Sequence, residues 1–226
     1  MSELNGMYQT PDLNRKSFAR TNSQTILQRV SLLRELVPSV NTIAEICCGD
    51  CTRQFQAYSK YLNMQTYRGL DIEASIVAAN RKQGIACYCG DALDKGLLRN
   101  FIEDDAIFFG PPLSVACDGH QIRQFNEVQP RYHDFARLLL AELKYTGMFI
   151  CICPNTTTMG DVARLHHQVR HCRTDFNLPV IHYSYSTVTG NDEPTELRLK
   201  YVELWFSDKH DDLWEVRESK PHTIST

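Results

Sequence analysis

No stretch of the 226-residue chain approaches the ~20 consecutive apolar residues that a membrane helix requires. Residues 1–20 also carry no apolar run of the signal-peptide kind. An excess of one charge is missing too. Against 24 Lys and Arg stand 27 Asp and Glu, for a formal charge of −3, which excludes a broadly basic nucleic-acid protein but leaves room for a local basic patch. Internal repeats and low-complexity segments are absent, which removes solenoids and wholesale disorder. The expectation is a protein of the cytoplasm, without membrane contact, whose length suffices for a sizeable core.

Cysteine, by contrast, is plentiful. An odd count of nine, in a chain too long to need staples, argues against a secreted disulfide scaffold. Cys47, Cys48, Cys51, Cys87, Cys89, Cys151 and Cys153 lie in or directly after apolar runs, where a thiol acts as a small hydrophobe. Two arrangements have metal-ligand spacing: His167 and His171 with Cys172, and Cys48 with Cys51. Neither has a second ligand pair at convincing spacing, so no metal is expected.

Residues 1–20 read as a polar arm containing Arg15, Lys16 and Arg20. Thr21 and Gln24 have capping-box spacing ahead of a helical apolar face formed by Ile26, Leu27, Val30, Leu33 and Val37. Strand-like runs follow at Thr42 to Cys48, Tyr67 to Leu70, Ile85 to Cys89, Asp105 to Phe109 and Met148 to Cys153, each separated from the next by a helical stretch. Two more, Val180 to Val188 and Leu197 to Phe206, flank the turn Gly190 to Pro194 and predict a hairpin. Alternation of this kind predicts an α/β, doubly wound, mostly parallel sheet with helices on both faces and a C-terminal antiparallel hairpin. Residues 21–208 would form this single domain, and residues 209–226 a polar tail.

The ends of the strands carry the chemistry. In a doubly wound sheet, ligands bind outside the carboxyl ends of the strands near the reversal of strand order. The first run ends in Glu45-Ile46-Cys47-Cys48-Gly49-Asp50-Cys51, the second in Asp71, the third in Gly90-Asp91-Ala92 and the fourth in Phe109-Gly110-Pro111-Pro112. Glu45, Asp71, Asp91 and Pro111 are separated by 26, 20 and 20 residues, each interval being one helix plus one strand. Polar punctuation this regular suits a nucleoside-sized ligand laid across the strand ends.

On these residues, from Thr42 to Phe206, the sequence resembles the class I S-adenosylmethionine-dependent methyltransferases, a family with a seven-stranded Rossmann-like sheet. The resemblance implies S-adenosyl-L-methionine as cofactor. Its glycine-rich turn would fall on Glu45, Cys47, Gly49 and Cys51, its ribose-binding acid on Asp71 with Ile72 following, and its adenine-contacting acid on Asp91 beside Ala92. Phe109 would close that cofactor set. Gly110-Pro111-Pro112-Leu113 resembles the Asp/Asn-Pro-Pro-aromatic signature of enzymes that methylate exocyclic amino groups of bases. The chain departs from both patterns: Cys47 and Cys51 replace glycines, Gly110 replaces the acceptor side chain, and Leu113 replaces the aromatic, leaving Phe108 or Phe109 to stack on a base.

The aperiodic stretch Ser114 to Gln129 contains Asp118 and His120, which could take a proton from the acceptor, and Arg123, which with Leu113 would hold the substrate. The side chains of Arg164, His166, Arg170, His171 and Arg173 read as a basic helix face. The acceptor stays open between a nucleic-acid base and a small molecule, the net acidity favouring the latter. Two other readings are a non-catalytic cofactor-binding protein and a nicotinamide dehydrogenase, the second weakened by the lack of Gly-x-Gly-x-x-Gly.

Overall fold

A strand that is apolar on both faces must be covered on both, and the central strands have this character. Ala106–Phe109 (β4) is buried at every position, and Thr42–Ile46 (β1) at all but its first. The computed structural model describes residues 23–113, 124–188 and 196–219. Around β1 and β4 it arranges Thr66–Asp71 (β2), Ala86–Cys89 (β3), Met148–Pro154 (β5), Asn177–Val188 (β6), Glu196–Ser207 (β7) and Glu215–Ser219 (β8). The order across the sheet is β3-β2-β1-β4-β5-β7-β6-β8. Strands β1 to β5 pair in parallel, and β7 inserts antiparallel between β5 and β6. Strand order reverses between β1 and β4, which is where a crevice opens in such a sheet.

Side-chain alternation divides the core in two. Phe108, on one face of β4, packs with Tyr58 and Trp205 beneath helices Ser23–Leu36 (α1), Thr52–Tyr61 (α2) and Ala74–Lys82 (α3). Phe109, on the other face, packs with Phe149 and Phe206 beneath Lys95–Leu98 (α4), Tyr132–Ala136 (α5) and Met159–Cys172 (α6). Helix α5 runs on into a π-helical turn over Arg137–Glu142, where a continuous α-helix is expected from the apolar spacing. Helix α6 starts in a capping box: the Thr158 hydroxyl accepts from the Asp161 amide, and the Asp161 carboxylate accepts from the Thr158 amide at 3.0 Å.

Two expectations are corrected. The segment read as a polar tail from residue 209 supplies β8, which pairs in parallel with β6 and brings the sheet to eight strands among the described residues. Its sequence, Glu-Val-Arg-Glu-Ser, has no apolar face to betray it; only Ser219 is buried, and its charges suit an exposed edge. Cys89 is exposed, not packed, because it stands at the very end of edge strand β3, whereas Cys87 two residues earlier is buried. The polar arm, Thr21 of the capping box, residues 114–123 and the hairpin turn lie outside the described residues.

Candidate active site

The turn after β1 is built from left-handed backbone. Cys47 has φ +59° and Gly49 φ +53°. A Cβ at Gly49 would meet nothing within 4 Å, so what calls for glycine there is the dihedral and not space. Cys47 adopts the same region with a Cβ, at a cost of about 1–2 kcal/mol, and the surrounding hydrogen bonds hold it there. The Cys48 amide donates to the Leu70 carbonyl at 3.1 Å, and the Gly49 amide to Asp71 Oδ2 at 2.9 Å. Asn80 Nδ2, from α3, donates to the Gly49 carbonyl at 2.8 Å.

Asp71 is the tie between β1 and β2. Its second oxygen, Oδ1, accepts from the Glu73 amide at 2.9 Å, so each carboxylate oxygen holds one backbone donor. Beside it, Ile72 is 74% exposed and Leu93, just past Asp91 and buried Ala92 at the end of β3, is 38% exposed. Two large apolar side chains are thus left open at the ends of adjacent strands, next to the exposed carboxylate of Asp91. The cysteines pack around this region. Cys48 and Cys87 Sγ lie 3.8 Å apart over Gly69, where an added Cβ would come within 2.9 Å and 3.1 Å of the two sulfurs. Burial, and then the charges of Asp71 and Asp91, push the Cys47 thiol up to about 12.

Glu45 lies on the opposite side of this turn, within the α1-covered core. Burial outweighs Arg29 and the Tyr67 hydroxyl there and pushes its pKa up to about 7. Arg29 Nε donates to Glu203 Oε1 at 2.7 Å, and its Nη1 lies 4.0 Å from Glu45. His182 joins Glu203 Oε2 to Ser219 Oγ, each at 2.8 Å. This buried chain of polar groups ties α1 and β1 to β7 and β6, and its last link, Ser219, lies on β8.

The end of β4 is barer. Gly110 donates its amide to Ile46, and a Cβ there would press on Ile152 Cδ1 at 3.1 Å, so the missing acceptor side chain has its place occupied from β5. Pro111 is buried, Pro112 exposed, and Leu113 packs half-buried against the core. The expected stacking role of Phe108 or Phe109 is overturned: both are buried, and Phe109 stacks on Phe135 at 4.0 Å. Asp118, His120 and Arg123 lie outside the described residues. At the end of β5, Asn155 donates Nδ2 to the Leu199 carbonyl at 3.1 Å, while its buried Oδ1 has no hydrogen-bond partner among the described residues. Strand-end reasoning carried one strand further would have found Asn155. Nearby on β7, burial together with the charges of Arg29 and Arg53 pushes Lys200 down to about 8.

The basic face read on α6 is smaller than expected. His166 is buried, 3.2 Å from Asp212, and Arg173 is engaged by Asp175, Asp208 and the Tyr145 carbonyl. His167 and His171 are exposed, and among the described residues no three ligating side chains come together.

No family model matches the chain, and no curated protein matches it in sequence. Solved structures do match. The methyltransferase domain of bacterial CtHen1 superimposes with a TM-score of 0.54 at 14% identity, covering 82% of this chain and 98% of that one. PH1948 of Pyrococcus horikoshii, described as a candidate RNA methyltransferase, superimposes at 0.57 with 12% identity, covering 91% and 95%. The fold is that of the class I methyltransferases. Within that fold, the left-handed turn, Asp71 and the end of β4 stand side by side at the carboxyl ends of β1, β2 and β4.

Proposed function

We propose that the protein transfers a methyl group from S-adenosylmethionine, and that the acceptor is an exocyclic amino group of an RNA base. The observation that carries the cofactor assignment is the left-handed turn at Cys47 and Gly49, tied by its amide to Asp71 at the reversal of strand order. A carboxylate has about four acceptor sites. Two are used by Gly49 and Glu73, which leaves Asp71 capacity for the vicinal hydroxyls of a ribose. Ile72 and Leu93 offer apolar walls to a flat heteroaromatic ring, with Asp91 at its edge to accept from an amine. Ala92 and Cys51 support these positions from the core.

When bound, S-adenosylmethionine supplies an electrophilic methyl group on a sulfonium. The chain's own task is to bring the acceptor into line and keep competing nucleophiles away. Cys47 sits at the turn as a neutral thiol, because its thiolate is disfavoured by burial and by two carboxylates, and so does not take the methyl group itself. Pro111 and Pro112 set the path of the chain out of β4. In place of the side chain missing at Gly110, the amide oxygen of Asn155 and the loop residues Asp118 and His120 would accept from the target amine, with Leu113 and Arg123 beside it. Glu45 would shape the turn from beneath.

The RNA assignment draws on PH1948, described as a candidate RNA methyltransferase, and on the Pro-Pro segment at the end of β4. The test is a screen with methyl-labelled S-adenosylmethionine against tRNA, rRNA, DNA and small amines. Label in RNA, recovered as an N-methylated base after digestion, is expected. Label confined to small amines would replace the acceptor. Cofactor binding with no transfer to any class would favour the second reading that Gly110 supports, a protein that binds the cofactor without using it.

A further inference from the structure

Between α5 and α6, a cavity of about 270 Å³ opens on the flank of the domain. Its floor is Phe125 stacked on Tyr132, with ring centroids 4.9 Å apart and both rings buried. Around the rim stand Asn126, Arg131, His133, Arg164 and Gln168. Among the described residues, the ionisable side chains of the lining other than Tyr132 are all cationic or basic, with no carboxylate. Arg164 is held in place by Asn126 Oδ1 at 3.0 Å and by Asp161 at 3.3 Å, outside the lining, with Gln168 one turn further along the same helix face. Arg131 has no acidic partner among the described residues. His133 has Asp134 at 3.1 Å, again outside the lining.

We infer that this cavity binds a backbone phosphate of the RNA substrate. The inference rests on the proposed methyltransferase reading only for why RNA comes to this surface. Two guanidiniums, an imidazole and two amides line one space, a donor set richer than a carboxylate's two oxygens can use and well matched to a phosphodiester. The volume is below the ~300–1,000 Å³ of sites that enclose whole small ligands, which suits one group of a larger molecule. With the whole chain at −3, no general positive field draws RNA in, so attraction has to be local. Tyr132 also connects the cavity to the transfer site. Its hydroxyl donates to the Ile152 carbonyl at 2.8 Å, and its ring meets Phe109 edge-on at 5.8 Å, immediately before Gly110-Pro111-Pro112. A strand presenting a base at the end of β4 thus has a phosphate seat beside it.

The experiment is fluorescence anisotropy of a labelled single-stranded oligoribonucleotide over a salt series, with wild type, Arg131→Gln and Arg131→Gln/Arg164→Gln. The plot of log affinity against log salt should lose about 0.7 of slope, the share of one phosphate contact, in the double variant, and a part of it in Arg131→Gln. Melting temperature and S-adenosylmethionine affinity should stay at wild-type values, and Arg131→Gln, whose guanidinium has no acidic partner to lose among the described residues, keeps the test independent of folding. Wild-type slopes in both variants, or no RNA binding by wild type, would overturn the phosphate seat. Inorganic phosphate titrated alone provides the other arm: if it binds through Arg131 while RNA binding ignores Arg131, the site serves a free anion and the RNA assignment is overturned. Failure of the methyltransferase reading would look different, as absent cofactor binding with the arginine-dependent RNA slope intact.

Discussion

The ends of β1 and β2 and the end of β4 stand side by side at the carboxyl edge of the sheet but are built on different terms. At β1 and β2 the turn is tied down by side chains: Asp71 holds two amides, Asn80 holds the Gly49 carbonyl, and the turn keeps left-handed geometry although a cysteine replaces its first glycine. At β4 the backbone is in place but the side chain that would address the acceptor is missing, and Ile152 fills its space. The comparison teaches that the backbone of a turn can be preserved by its hydrogen bonds when its residue types change. Under the proposed function, the acceptor-facing position at Gly110 has no such substitute, and its chemistry would come from neighbours.

The largest effect should come from breaking the well-tied side. Asp71→Ala removes the acceptor of the Gly49 and Glu73 amides as well as the proposed ribose contacts, and should weaken S-adenosylmethionine binding by roughly a hundredfold, or ~3 kcal/mol. Equilibrium dialysis with labelled cofactor measures this, and wild-type affinity would remove Asp71 from the account.

Next is the support beneath the turn. Glu45 has a folded pKa of about 7, above its ordinary value of 4.5. Its contribution to stability is therefore fully present below about pH 4.5 and is lost as pH rises through about 7, a change on the order of 2–3 kcal/mol. Denaturant titrations from pH 5 to pH 8 should show this loss in wild type and a flatter profile in Glu45→Gln. Equal slopes in the two would mean that Glu45 ionises as an ordinary carboxylate.

A smaller effect tests the bare side. Gly110→Ala forces Ile152 to give way and should cost about 1 kcal/mol of stability, recovered when combined with Ile152→Val, which lacks the pressing methyl. Without recovery, something other than Ile152 keeps residue 110 small. Smallest of all is Cys47→Gly, which relieves the left-handed Cβ and should stabilise the fold by at most about 1 kcal/mol with unchanged cofactor affinity. A loss of affinity would show that the thiol itself touches the ligand.

Much of this was legible because the strand ends are local punctuation. Asp71, Asp91 and the Gly110-Pro111-Pro112 stop stand at intervals of one helix and one strand, and a linear reading can count those. What stayed hidden depends on partners far apart in sequence. Arg29 meets Glu203 across 174 residues, and His182 reaches Ser219 across 37, so neither the polar core nor β8 leaves a periodic trace. Phe108 and Phe109 are neighbours in sequence but point into opposite cores, and an all-apolar strand does not reveal that neither ring is open to a base. His166 looked like part of a basic face until its packing against Asp212 removed it.

The central claim is that the cysteine-bearing turn still binds S-adenosylmethionine. Calorimetric titration of the wild-type protein with S-adenosylmethionine, run beside NAD, tests it most directly. The account predicts one saturable site for S-adenosylmethionine and none for NAD. No heat of binding with S-adenosylmethionine from a protein shown to be folded, or binding of NAD in its place, would contradict it.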